Sequence, residues 1–126
     1  MNTKSLSSQI PNTPVRPNIV QLVIKEKGDL YAAYIPLFKD GGIFLASNRD
    51  YKLGDDVYIL LTLPEDTQRH PVTGKVAWIT PAHASGNQVQ GVGVRFPADD
   101  RSRLLKAKIE EILGPHLGSN RPTHTI

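Results

Sequence analysis

The chain has 126 residues, of which 39% are hydrophobic and 21% charged, enough for one domain with a modest core and some polar sequence attached. Its formal charge of +3 comes from 15 basic and 12 acidic side chains scattered in both signs, as in Lys25-Glu26-Lys27-Gly28-Asp29. A protein that tracks nucleic-acid phosphates gathers its cations on one face, so no nucleic-acid partner is expected. The chain has no cysteine, which removes disulfides and thiolate chemistry. It also has no apolar run long enough to span a bilayer or to form a signal-peptide core, which predicts a cytoplasmic protein without membrane insertion.

Residues 1–17 are rich in Ser, Asn and Thr, with Pro11, Pro14 and Pro17, and bury too little to repay the entropy of ordering. They are read as a flexible arm. Alternation then places Val20, Leu22 and Ile24 on one face of a first strand. Residues 30–35 are taken as a second strand closed by Pro36, and the paired glycines Gly41-Gly42 turn the chain into a third over 43–46. A polar loop with Leu53-Gly54-Asp55 leads to a strand over 57–63. There Val57, Ile59, Leu61 and Leu63 share one face, and the opposite face is also partly apolar at Tyr58 and Leu60. Residues 72–80 and 88–96 form a closing hairpin around the turn residues Ser85-Gly86-Asn87.

The period then changes. Asp99-Asp100 stands where a helix N-cap is wanted, and Leu105, Ile109, Ile112 and Leu113 follow as one stripe until Gly114-Pro115 stops the helix. Residues 115–126 read as a polar tail. These elements predict an all-β fold over residues 18–114: a small antiparallel six-stranded β-barrel whose open side is covered by the C-terminal helix. An OB-fold has the same strand statistics, and pattern alone does not separate the two.

No catalytic constellation emerges. His70, His83, His116 and His124 fall in turns or the tail, none read as lying near another His, Asp or Glu at metal-ligand spacing such as H-x-x-x-H, so all four are expected at the surface and no metal or cofactor is expected. No serine lies in a G-x-S-x-G elbow. Gly91-Val92-Gly93 lacks the third glycine and the helix of a dinucleotide loop, so its glycines are read as places of close strand approach. The chain is not expected to be an enzyme.

The pair Gly74-Lys75-Val76-Ala77-Trp78-Ile79 and Gly91-Val92-Gly93-Val94-Arg95-Phe96, with Gly41-Gly42-Ile43-Phe44-Leu45 and Leu53-Gly54-Asp55, resembles the PilZ domain over residues 18–114. The resemblance implies a bacterial signalling barrel, and most such domains bind cyclic di-GMP. They do so through R-x-x-x-R before the first strand and [DN]-x-S-x-x-G before a later one, because guanidinium forks grip phosphates and guanine edges while a carboxylate or amide and a hydroxyl read the base. Here Arg16 is followed four residues on by Val20, Leu37 stands in the acid or amide position, and Lys39 replaces the serine. The degenerate set Arg16, Val20, Leu37 and Lys39 implies no direct binding of cyclic di-GMP. The alternatives are an unconventional receptor that uses Arg16 and, third, a nucleic-acid-binding barrel.

The stretch Leu30-Tyr31-Ala32-Ala33-Tyr34-Ile35-Pro36-Leu37-Phe38, with the terminal Arg121-Pro122-Thr123-His124-Thr125-Ile126, is similar to the stand-alone type IV pilus assembly branch of that family. The resemblance implies an adaptor in pilus biogenesis and twitching motility, with the pilus assembly ATPase PilB and a FimX-like EAL/GGDEF-domain protein as partners. In a regular strand Tyr31 and Tyr34 point to opposite faces, so both cannot fill the barrel. Tyr31 with Pro36, Leu37 and Phe38 is therefore expected to form the partner-binding surface.

Overall fold

In the computed structural model the described residues are 19–84, 88–114, 117 and 123–125. Five strands and two helices follow in order: β1 (Ile19–Val23), α1 (Lys27–Ala33), β2 (Gly42–Ala46), β3 (Asp56–Thr62), β4 (Arg69–Thr80), β5 (Gly91–Arg95) and α2 (Asp100–Leu113). The strands form one sheet in the order β1-β3-β4-β5-β2. All neighbours are antiparallel except β1, which runs parallel to β3 with Val20 opposite Ile59. The sheet curls into a half-barrel, and α2 adds Leu105, Ile109 and Leu113 to its core and packs against α1.

Period-two patterning carries most of this. In β3, Val57, Ile59 and Leu61 are buried while Tyr58, Leu60 and Thr62 are only half-covered, so the second apolar face stays partly open. In β1 the inward set is Val20, Leu22 and then buried Ile24, and Ile19 and Val23 face out. The β4–β5 hairpin is the expected one, but a bulge between Val76 and Trp78 steps the register across Ala77. Beside the bulge, a Cβ on Gly93 would come within 2.8 Å of the Trp78 side chain and 2.9 Å of Ile35, so only glycine admits both neighbours.

The helix stripe settles against this surface. Leu105, Ile109 and Leu113 are buried and Ile112 is partly so. Asp99 is the N-cap, its carboxylate accepting from the Ser102 amide at 2.8 Å, and Gly114 ends the helix at positive φ.

The barrel expectation needs correction at residues 30–35. They do not form a sixth strand: residues 27–33 are helical, and Tyr34 returns to extended backbone. Leu30, Ala33 and Tyr34 are the buried positions, at i, i+3 and i+4, so the operative period was helical and not two. All that remains of the sixth strand is a single antiparallel bridge from Tyr34 to Ile43, with the Ile35 amide donating to the Gly42 carbonyl at 3.0 Å. Five strands, not six, are present among the described residues, and the sheet is an open half-barrel, not a closed one. No helix among them is long and apolar enough to cross a membrane.

Candidate protein-interaction surface

The segment from α1 to Phe38 holds every residue of the expected partner surface. Seven residues make a helix too short to persist alone, and its N-cap, Glu26, supplies no side-chain bond. Tertiary anchors hold it instead. Leu30 is fully buried, and Tyr34, at the helix C-cap, donates its phenol to Glu110 of α2 at 2.5 Å. Lys106, one turn earlier on α2, reaches the same carboxylate at 2.9 Å. Burial raises the Tyr34 phenol far above its ordinary range, reinforced by the hydrogen bond to Glu110 and by that carboxylate's charge. Conversely, the bond from Tyr34 and then Lys106 hold the Glu110 carboxyl below its usual value. The phenol stays a donor and the carboxylate an acceptor, so this tie between the helices is stable across the physiological range.

The two tyrosines are thus divided, though not by strand alternation. Tyr34 is buried, and Tyr31 is half-buried with its ring packed at the edge of the core. Beyond them Pro36 and Leu37 are exposed, Leu37 at 70%. Phe38 is half-buried and its ring lies over Gly42, where any Cβ would meet it at 2.5 Å. Leu37 and Pro36 are therefore the exposed apolar side chains of the expected set, and Tyr31 and Phe38 are half-buried on either side of them in the chain.

Of the degenerate dinucleotide positions, Arg16 lies outside the described residues. Val20 is half-buried against the core and offers no polar atom, while Leu37 and Lys39 are exposed. At these two positions the chain presents an isobutyl group and an ammonium to solvent.

Two features escaped the sequence reading. His70, expected at the surface, is half-buried and bonded through Nε2 to Asp66 Oδ2 at 2.8 Å, and Lys108 of α2 reaches the same oxygen at 3.2 Å. The expectation that no acid stands at such a spacing from a histidine is corrected here, since Asp66 and His70 are four residues apart and bonded. The bond from His70 chiefly, then the Gln68 amide and Lys108, drive the Asp66 carboxyl far below the usual carboxylate range against the cost of burial. No group of three or more metal-ligating side chains assembles among the described residues. The second feature is the chain's far end. The His124 amide donates to the Ala32 carbonyl of α1 at 2.9 Å, its ring lies 4.9 Å from that of Phe44, and Thr125 is buried. These two histidines are thus not free surface groups. His83 is exposed, and His116 lies outside the described residues.

A curled, mostly-β half-barrel sheet with a C-terminal helix, and exposed leucines both on the connection after α1 and on α2, is the architecture of a small domain with apolar surface open to contact. Comparison with protein families gives the specific assignment: the PilZ domain matches residues 15–113, and the chain belongs to the PilZ domain family. Such domains are typically non-catalytic adaptors or receptors of cyclic di-GMP signalling. No curated protein matches the chain.

Proposed function

We propose that this PilZ domain is a type IV pilus biogenesis adaptor. It acts through protein contacts with the pilus assembly ATPase PilB and a FimX-like EAL-domain regulator, in the cytoplasm, and does not itself bind cyclic di-GMP. One observation carries the reading: at the strand entrance where the family's dinucleotide motif needs an acid or amide and a serine, this chain has Leu37 and Lys39, and Leu37 is 70% exposed. The change removes the groups that read a guanine and leaves an apolar one open to solvent beside Pro36. Tyr31, Pro36, Leu37 and Phe38 form the partner surface, with Leu37 as its exposed anchor in addition to the half-buried Tyr31.

Two measurements test this. Calorimetry with cyclic di-GMP should give no heat of binding, and micromolar or tighter affinity would instead make the domain an unconventional receptor. In a pull-down with purified PilB, Leu37→Glu and Tyr31→Ala should lose the ATPase while keeping the native circular dichroism spectrum. Retention of PilB by both folded variants would remove this surface from the interface.

A further inference from the structure

Where β4 begins beside the first turns of α2, a groove of about 320 Å³ opens to solvent. Val72 and Leu105 form its floor, and His70, Arg101 and Lys108 stand among its walls with no acidic side chain between them. Leu104 lies on the rim, 74% exposed. The nearby acids are committed elsewhere: Asp99 caps α2, Asp100 pairs with Arg103 at 2.6 Å, and Asp66 sits beneath the wall with its side chain 9% exposed. Asp66 also fixes the groove's shape, since it holds His70, Lys108 and the Gln68 amide on one carboxylate. A buried carboxylate kept ionised by its partners is a rigid support. Arg101 is exposed, and although its charge helps to hold the Asp99 carboxyl below its usual value, it is bonded in none of the side-chain ties that build the wall, so its fork of donors can reach a ligand.

An apolar floor, an exposed leucine at the rim, and the Arg101 guanidinium and Lys108 ammonium in the walls define the chemistry of the occupant. We propose that this groove docks an acidic amphipathic segment of a partner protein. An apolar side chain of that segment packs on Val72 and Leu105 beside Leu104, and a carboxylate next to it is gripped by Arg101, with Lys108 contributing the longer-range attraction. The groove involves none of the residues of the Tyr31-to-Phe38 surface, so the inference does not depend on the function proposed above.

The test uses the full chain and a fluorescein-labelled synthetic peptide with leucines at helical spacing flanked by glutamates, read by fluorescence anisotropy. Two counterparts are run alongside, one with every glutamate replaced by lysine and one with every leucine replaced by serine. The glutamate–leucine peptide should bind, and both counterparts should bind at least about tenfold more weakly. Arg101→Glu and Leu104→Ser, both at exposed helix positions, should each weaken binding by about tenfold or more, while Lys25→Glu, on another exposed segment, should not. Equal binding of the glutamate and lysine peptides would overturn the proposal, as would equal loss with Lys25→Glu, wild-type affinity in both groove variants, or no binding of the glutamate–leucine peptide.

Discussion

The β4–β5 hairpin and the stretch from α1 to Phe38 are held by different means. In the hairpin, buried Val72, Gly74 and Val76 of β4 alternate with exposed Thr73 and Lys75, β5 is buried from Gly91 to Val94, and the ladder pairs the strands on both sides of the bulge at Ala77. The α1 segment has a seven-residue helix without a side-chain N-cap, held by buried Leu30 and Ala33, by one phenol–carboxylate bond to a distant helix and by the His124 amide on Ala32. The hairpin's order is local and repeated, whereas that of α1 depends on what lies across the molecule. An exposed leucine is tolerated at the end of the second kind of element because nothing in its own packing depends on it. Function can therefore change there without cost to the fold.

The comparison can be broken first at the core both regions share. Ile109→Ala, at a fully buried position of α2, should destabilise the domain by about 3 kcal/mol in urea denaturation. Tyr34→Phe should cost about 1.5 kcal/mol, because the hydrogen bond it removes has a charged acceptor, and hydrogen exchange should rise in α1 more than in β5. Equal loss of protection in the two regions would show that α1 is not separately anchored.

Asp66→Asn sharpens the picture through pH. The folded-state carboxyl is depressed, so its contribution to stability is fully present above the ordinary carboxylate value of 3.8 and is lost as pH falls towards the lowered one. The thermal midpoint of the wild type should exceed that of the variant at neutral pH, with the gap closing in strong acid; a gap constant with pH would exclude the ionised carboxylate as its source. The smallest effect on the fold should come from Leu37→Ser, within about 0.5 kcal/mol of wild type in the same denaturation, since the side chain is 70% exposed.

Most of the sheet was legible because its strands repeat a local rule. Val57, Ile59 and Leu61 alternate without exception, and the α2 stripe of Leu105, Ile109 and Leu113 has only one helical reading. Residues 30–35 defeated that approach because Leu-Tyr-Ala-Ala-Tyr-Ile is apolar at nearly every position, so both periods fit a window this short. The decision belongs to Pro36, which ends the helix early, and to the Glu110 partner 76 residues from Tyr34. The bulge at Ala77 and the docking of His124 have no local signature, since both are set by neighbours far along the chain. For the candidate surface, the composition of residues 31–38 was readable. That Leu37 is far exposed while Tyr31 is half-buried was not, because irregular backbone after a proline has no period from which to infer direction.

The contact of His124 with Ala32 and Phe44 has a practical consequence for reporters. A fluorescent protein or affinity handle fused beyond Thr125 would be tied to α1 through that buried residue and the His124 amide on the Ala32 carbonyl. A short, stiff linker there would pull on the same helix that carries Tyr31. Binding measured with such a fusion would then report the strain of the attachment along with the affinity of the domain.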